Sequence, residues 1–202
     1  LNEAFWALGT NIYSMVLARQ GESQYSAFTI FSSIEQLSFT FFIGLISSCA
    51  VIVGKQVGRG DLAEGYGTAK KFMLYTPLSA MVVSVLLILF RNPLLGFLNI
   101  PNTATMELAS KLLLAYSFIL PFRMVSYVAV VGIFRAGGDT RAGLFLDMFN
   151  VYLMGVPAVI ITGLVLRLPF VFVFLSMYAE DLLKVPMCFI HFFRKKWIRK
   201  LT

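Results

Sequence analysis

Long apolar stretches alternate with short polar and charged segments along the whole chain. A helix needs about 20 apolar residues to cross a bilayer, because each residue adds about 1.5 Å toward a hydrocarbon core about 30 Å thick. Six stretches approach or exceed this length, and they cover residues 2–18, 27–53, 72–90, 112–134, 142–166 and 169–193. The first is expected to be a span whose start lies before Leu1. The pattern therefore predicts a protein that folds in lipid.

These stretches are expected to form helices rather than strands. The backbone finds no hydrogen-bond partners in lipid, so only helices and closed barrels cross a bilayer. The stretches lack the two-residue alternation of apolar and polar positions that is typical of barrel strands. We therefore predict an all-α fold, a polytopic transmembrane bundle of six helices that occupies residues 1–202.

Local signals predict where some helices begin and end. Asp61 is expected to cap the third helix, because a carboxylate accepts hydrogen bonds from the free amides at a helix start. Asn92-Pro93 is expected to end that helix, since the residue before a proline disfavours helical geometry. Asp139 is expected to begin the fifth helix.

The composition argues against a soluble domain. Apolar residues make up 58% of the chain and charged residues 13%, whereas an ordinary soluble domain carries about 25% charged residues. Phe alone contributes 20 of the 202 residues. A soluble core of this size would leave much of this apolar surface exposed to water, where it would promote aggregation.

The net charge of +7 is distributed unevenly between the loops. The loops after the second and fourth spans and the tail after the sixth hold 11 of the 17 basic residues: Lys55, Arg59, Lys70, Lys71, Arg135, Arg141, Arg194, Lys195, Lys196, Arg199 and Lys200. Lys and Arg gather on the cytoplasmic side of a membrane, so we predict a multi-pass protein of the cell membrane with a cytoplasmic C-terminus. The basic tail is interpreted as an anchor to the lipid bilayer, and no nucleic-acid partner is expected.

Ionisable residues inside the apolar stretches are the candidate functional residues. A charge at membrane depth costs at least about 2.5–3.5 kcal/mol, so such residues usually face a cavity or a partner. The candidates in the first five spans are Glu3, Glu35, Arg123 and Asp147. Arg123 is interpreted as an internal charge partner of Glu35 or Asp147, and such a contact could equally be purely structural.

The sixth span carries a local group of three ionisable residues, Glu180, Asp181 and Lys184. Glu180 and Lys184 are four residues apart and therefore share one face of a helix. We expect these two side chains to neutralise one another, which would make the group structural.

Glu3 differs from the other candidates because the first basic residue after it is Arg19. A carboxylate without a basic partner in a low-dielectric site favours its neutral or cation-bound form. Glu3 is therefore a candidate to exchange H⁺ or to hold Na⁺, the only metal ion expected here, with Asn2 as a neighbouring hydrogen-bond partner. The alternative is that Glu3 lies at the membrane interface.

The chain carries none of the common signatures of catalysis. It has no phosphate-binding G-x-x-x-x-G-K-[ST] loop, nucleophile elbow, H-E-x-x-H motif or dinucleotide fingerprint. Cys49 and Cys188 are interpreted as small buried hydrophobic residues, and His191 as an interfacial residue. We expect neither an enzyme nor a bound cofactor.

Three segments resemble motifs of the multidrug and toxic compound extrusion (MATE) transporters. The segment from Asn2 to Gly9 resembles the N-E-x-x-W-x-x-G pattern of that family's seventh helix. Residues 53–61 resemble its V-G-x-x-x-G-x-G-D/E segment after the eighth helix, and residues 132–141 its G-x-x-R-A-G-G-D-T-K/R segment before the eleventh. The order and spacing of the three are kept over the whole chain.

The resemblance implies the second lobe of a twelve-helix, two-lobed transporter, whose N-terminal lobe is missing from this sequence and would be its partner. It implies an antiporter that exports amphiphilic or cationic small molecules by alternating access, driven by Na⁺ or H⁺. It also implies cation coupling at Glu3. The 132–141 motif implies a cytoplasmic loop site made of Gly137, Gly138, Asp139 and Arg141, where Asp139 is interpreted as a helix cap or a gating contact.

One departure from the family pattern bears on the coupling site. Some members carry an acidic residue in the middle of the tenth helix, whereas residues 121–125 of this chain contain none. Either the coupling site uses Glu35 or Asp147 with Glu3 and Asn2, or the ion preference differs from that of those members. Two alternatives are a flippase of lipid-linked precursors from the same superfamily and, if the chain is natively half-size, a membrane scaffold without transport activity.

Overall fold

The computed structural model describes residues 2–98 and 102–198, except for the side chains of Asn2 and Glu3. Helices make up most of this part, and no strand occurs in it. The predicted all-α fold is confirmed. The helices are α1 (Asn2–Ala18), α2 (Glu22–Gly58), α3 (Leu62–Phe97), α4 (Thr103–Phe134), α5 (Thr140–Val165), α6 (Phe170–Met177) and α7 (Ala179–Phe193).

Four of the described helices, α2 to α5, are long and apolar enough to cross a membrane. The apolar part of α1, Ala4–Ala18, is shorter. The sixth apolar stretch, residues 169–193, is divided between α6 and α7, which meet at Tyr178. The chain therefore forms a multi-pass helical bundle with one broken helix.

The start of α4 shows how a polar side chain begins an apolar helix. The Asn102 side chain accepts a hydrogen bond from the backbone amide of Ala104, 2.9 Å away. This contact satisfies one of the amides that a helix start leaves without an intrahelical partner. Asp61 occupies the corresponding position before α3, but its side chain makes no capping hydrogen bond.

The end of α3 differs from the sequence prediction. The helix continues through Pro93 to Phe97, so the expectation that Asn92-Pro93 ends it is wrong. A proline removes one backbone hydrogen bond, a loss that neighbouring helices in a membrane bundle can offset. Leu95 is fully buried beyond the proline, and this packing holds the last turn in helical form.

The centre of the bundle is α4, which packs against α2, α3 and α7. Its fully buried residues include Leu112, Leu113, Tyr116, Leu120 and Met124. In contrast, α2 and α3 expose large apolar side chains such as Leu37 and Leu89. An exposed apolar surface of this kind is stable against lipid and unstable in water.

Three wide turns interrupt the regular α-helical geometry of α4 and α5. They are the π-helical segments Val128–Phe134, Val151–Gly155 and Ile161–Val165. Irregular backbone at membrane depth is tolerated where it is buried in protein or lines a cavity, and π turns are frequent at functional sites. A functional site is therefore expected near these segments and the break at Tyr178.

Candidate functional site

A cavity of about 400 Å³ lies between α1, α2, α4 and the junction of α6 and α7. Its walls combine aromatic rings with charged and polar side chains. The lining residues are Trp6, Thr10, Tyr13, Glu35, Gln36, Phe39, Ile43, Arg123, Tyr127, Met177, Tyr178 and Glu180. Sequence analysis identified Glu35, Arg123 and Glu180 among these as ionisable residues at membrane depth, but it did not predict that all three line one cavity.

Arg123 and Glu35 form an ion pair in this cavity. The Arg123 Nη1 atom donates to Glu35 Oε1 over 2.6 Å, and about one fifth of each side chain is exposed. The guanidinium carbon lies 5.4 Å from the centre of the Phe39 ring and 5.1 Å from that of Tyr178. Of the two partners that the sequence left open for Arg123, the structure selects Glu35. The two charges cancel, so the pair as a whole carries no net charge.

Asp147 and Lys184 form a second ion pair, which joins α5 to α7. The Lys184 Nζ atom lies 2.5 Å from Asp147 Oδ1, and both side chains are about nine-tenths buried. The predicted pairing of Lys184 with Glu180 is therefore wrong. A pair four residues apart on one helix contributes only about 0.2–0.5 kcal/mol, whereas a buried carboxylate on a neighbouring helix needs a cation to offset its lost hydration.

Glu180 has a neutral partner instead. The Tyr13 hydroxyl donates to Glu180 Oε2 over 2.7 Å and so links α1 to α7. A third helix meets this contact at Gly155, where a Cβ atom would overlap the Tyr13 hydroxyl and come within 2.6 Å of Glu180 Oε2. A side chain there would displace the Tyr13 hydroxyl or the Glu180 carboxylate, so Gly155 allows the three helices to approach with this hydrogen bond in place.

The break between α6 and α7 places two carboxylates in the first turn of α7. Glu180 faces the cavity of about 400 Å³, whereas Asp181 faces a separate space of about 230 Å³ that is lined mainly by apolar residues of α4, α6 and α7. Free amides at a helix start favour a nearby carboxylate. The local backbone therefore helps to hold negative charge at this depth.

Glu3 and Asn2 lie at the start of α1, but their side chains are outside the described residues. Their assignment to cation coupling stays a prediction. Trp6, one turn later on the same helix, lines the cavity. The coupling roles predicted for Glu35 and Asp147 also stay predictions, and both carboxylates are occupied by a basic partner.

The loop motif lies at the end of the bundle where the chain turns from α4 into α5. Asp139 is buried, and its side chain accepts from the backbone amide of Ala142 at the start of α5 over 3.4 Å. His191 Nε2 lies 2.9 Å from the other carboxylate oxygen, Asp139 Oδ2. Asp139 thus caps α5 and contacts α7, and Arg141 is exposed.

The two glycines of the motif serve different needs. Gly138 has a φ of +91°, which L side chains rarely adopt. Gly137 packs against Trp197, which is fully buried and donates its indole N–H to the carbonyl of Phe192 over 3.1 Å. A Cβ atom at Gly137 would overlap the Trp197 ring, so the motif accommodates the folded-back tail.

Sequence reasoning missed Tyr13, Tyr178 and Gly155. Tyr13 and Gly155 lie in apolar runs, where a tyrosine or a glycine is usual. Tyr178 is separated from Glu35 by 143 residues along the chain. The one available signal was the concentration of Glu180, Asp181 and Lys184 in a single apolar stretch.

Comparison with known proteins adds the family context. The model of the MatE family matches residues 1–161 of the chain. The "Probable multidrug resistance protein NorM" of Xanthomonas campestris pv. campestris is 29% identical over 147 residues, which make up 72% of this chain and 31% of that protein. The protein of the same name from Xanthomonas axonopodis pv. citri is 30% identical over 149 residues, with the same two coverages. The "Uncharacterized transporter YisQ" of Bacillus subtilis is 20% identical over 194 residues, 96% of this chain and 42% of that protein.

A solved structure also resembles the chain. A MOP superfamily transporter from Pyrococcus furiosus superposes with a TM-score of 0.72 over 98% of this chain and 43% of its own, at 14% identity. At this identity the likeness shows the fold alone. The chain therefore spans less than half the length of each of these relatives.

Proposed function

Because this chain belongs to the MatE family, we propose that it forms one lobe of an antiporter that exports drugs or organic cations in exchange for H⁺ or Na⁺. The resemblance to MATE transporters found in the sequence motifs is thereby confirmed. The proposed transporter resides in the cell membrane with the C-terminus in the cytoplasm. Its other half is a second lobe, and the two lobes expose the substrate path alternately to the two sides.

The cavity of about 400 Å³ is the observation that carries the proposal. Its aromatic rings offer π faces, which attract organic cations by about 0.5–2 kcal/mol each. Arg123 does not oppose this attraction, because the Glu35 carboxylate balances the charge of its guanidinium group. A bulky cation can therefore approach the rings without meeting a free positive charge from Arg123.

A polar face on α2 supports transport by alternating access. Thr29, Ser33, Gln36 and Thr40 follow one another at helical spacing, and all are exposed. The hydroxyls of Thr29, Ser33 and Thr40 bond back to the carbonyl four residues earlier, yet a polar stripe is still unfavourable against lipid. This face is better matched to a water-filled path or a second lobe, and Gln36 joins it to the cavity.

The flippase alternative fits this cavity less well. A lipid pyrophosphate is an anion and requires net positive charge in its site. The one arginine in the described cavity wall is paired with Glu35, and Glu180 adds a carboxylate. Phosphate recognition would need free Arg or Lys side chains that can bind its oxygens.

Reconstitution tests the proposed function. The full-length protein that contains this chain is incorporated in proteoliposomes, and transport of the aromatic cation ethidium is measured under a pH gradient alone and a Na⁺ gradient alone. We expect one gradient to accelerate transport and the other to have little effect. If neither gradient changes the rate, the proposal of cation-coupled export is wrong.

A charge-neutralising variant tests the coupling role of Glu3. Glu3→Gln is expected to lose gradient-driven transport while it still binds ethidium. Glu107→Gln is the matched control, because Glu107 is exposed and paired only with Lys111, 2.8 Å away on the same helix. Unchanged transport by Glu3→Gln would remove Glu3 from the mechanism and leave family membership intact.

A further inference from the structure

The carboxylates of the lobe interior differ in how their charge is balanced. Glu35 is paired with Arg123, and Asp147 with Lys184. Binding a further cation at either carboxylate would require breaking an existing ion pair. Breaking a buried pair typically costs about 3–5 kcal/mol. Neither position is therefore well suited to load and release a cation in every transport cycle.

Glu180 differs from both, because it forms no ion pair with a basic residue of the described chain. No Lys, Arg or His side chain in residues 2–98 and 102–198 forms an ion pair with it. Its partner is the neutral phenol of Tyr13, and its carboxylate lines the cavity. A carboxylate of this kind is open to a cation without the loss of a salt bridge.

The surroundings of Glu180 depart from regular helix geometry in two independent places. The sixth span breaks at Tyr178, directly before the turn that carries Glu180. The π segment Val151–Gly155 ends at the glycine that admits the Tyr13–Glu180 contact. Broken helices and π turns at membrane depth are typical of ion sites in transporters.

We propose that Glu180 binds a coupling cation in this lobe, in addition to the site predicted at Glu3, and that Tyr13 transmits the occupancy of Glu180 to α1. This inference rests on the proposed function. In the ionised state the carboxylate accepts a charge-assisted hydrogen bond from Tyr13, which holds α1 against α7. Addition of H⁺ to a Glu180 oxygen converts the carboxylate to a neutral carboxyl group, and Tyr13 keeps its own proton. A hydrogen bond to a neutral acceptor is roughly half as strong, so cation binding loosens α1.

The same two side chains would supply the ligands if Na⁺ drives transport. Carboxylate and phenol oxygens are hard ligands of the kind that small cations bind through. Na⁺ would be held by the Glu180 carboxylate, with the Tyr13 oxygen as a second ligand. In both cases a small monovalent cation binds at one carboxylate. The experiment below distinguishes H⁺ from Na⁺.

Several other ionisable side chains surround Glu180 and set the background of its titration. They are Tyr13 on α1, Glu35 on α2, Arg123 on α4, Asp147 on α5, Tyr178 at the helix break, and Asp181 and Lys184 on α7. Two of the carboxylates in this group are already paired with the two basic residues. Arg123 and Lys184 therefore act on Glu180 only through space, because each forms its ion pair with another carboxylate.

The test uses the reconstituted full-length protein and four variants. Glu180→Gln removes the charge and keeps a hydrogen-bond acceptor, and Tyr13→Phe removes only the donor. Glu107→Gln and Tyr25→Phe are matched controls at exposed positions. Transport of ethidium is measured under separate pH and Na⁺ gradients, and ethidium exchange is measured without any gradient.

We expect Glu180→Gln to reduce gradient-driven transport at least about tenfold and to retain ethidium exchange, since exchange needs no net movement of the coupling ion. Tyr13→Phe is expected to shift the dependence of transport on the coupling cation. If H⁺ is the coupling ion, its half-maximal pH moves upward by about one unit, because the ionised carboxylate loses a charge-assisted donor. If Na⁺ is the ion, its half-maximal Na⁺ concentration rises about tenfold instead.

The inference is overturned if Glu180→Gln transports under the driving gradient within about twofold of the natural protein, a difference of about 0.4 kcal/mol. It is also overturned if Tyr13→Phe leaves both half-maximal values unchanged. Should Glu180→Gln fail to fold, Tyr13→Phe alone decides the outcome. Infrared titration of the protein without substrate gives a separate readout. The natural protein is expected to show the band of a protonated carboxyl group, and Na⁺ is expected to suppress this band if Na⁺ binds there. The Glu180→Gln variant is expected to lack the band. The infrared readout tests cation binding at Glu180 even if no gradient drives transport. Failure of this inference can therefore be told apart from failure of the proposed cation-coupled export.

Discussion

Replacing Arg123 with methionine keeps an unbranched side chain but removes the cation from the Glu35 carboxylate. The structure places the two groups 2.6 Å apart with about a fifth of each exposed. Removing one partner of a buried pair costs about 3–5 kcal/mol, because the other charge stays buried without compensation. The partial exposure favours the lower end, about 3 kcal/mol. Loss of the contacts with the Phe39 and Tyr178 rings adds about 0.5–1 kcal/mol each.

The expected destabilisation of Arg123→Met is therefore about 4 kcal/mol. For a chain of this length it corresponds to a thermal midpoint lower by roughly 10 °C. The midpoint is measured in detergent by near-ultraviolet circular dichroism. Arg19→Met is the control, because Arg19 is exposed next to a loop, and its effect is expected to stay within about 0.5 kcal/mol.

A double-mutant cycle separates the ion pair from other effects of the substitution. Glu35→Gln alone leaves Arg123 buried without a counter-ion and is also expected to destabilise. The double variant removes both charges, so its cost should fall below the sum of the single costs by about 2 kcal/mol or more. Costs that add within about 0.5 kcal/mol would refute the inference that the two groups form a coupled buried pair.

Two further predictions concern the ends of the bundle. Gly137→Ala is expected to lower the thermal midpoint by an amount equivalent to about 1–3 kcal/mol, because its Cβ atom would lie 2.5 Å from the Trp197 carbonyl oxygen. Gly58→Ala, where nothing lies within 4 Å, is the control, and equal effects of the two would contradict the packing argument. Asn102→Ala is expected to cost about 1 kcal/mol through loss of the α4 cap, measured in the same assay, whereas Asn102→Asp should retain most of the stability.

Local patterns were sufficient to predict the class of the fold. The all-α bundle follows from the length of the apolar stretches and from the need of the backbone to satisfy its own hydrogen bonds in lipid. The family resemblance rested on short motifs whose order survives in the linear sequence, and the match over residues 1–161 confirms it. Asp139 as the cap of α5 was readable for the same reason, since a cap lies next to the helix it begins.

Interruptions of helices were less predictable. Pro93 was expected to end α3, and the helix continues beyond it. The sixth apolar stretch was expected to be one helix, and it breaks at Tyr178. In both places the outcome depends on how neighbouring helices pack around the irregular turn, and local propensity is a weak guide to that packing.

The apolar pattern along the chain was enough to establish helices, a membrane environment and the identity of the charges at membrane depth. The partners of those charges were decided by the tertiary structure: Arg123 with Glu35, Lys184 with Asp147, and Tyr13 with Glu180. These contacts join residues 88, 37 and 167 positions apart along the sequence. Each helix can rotate and shift against its neighbours without changing its own apolar pattern. Only the packing of whole helices therefore selects which buried charge meets which partner.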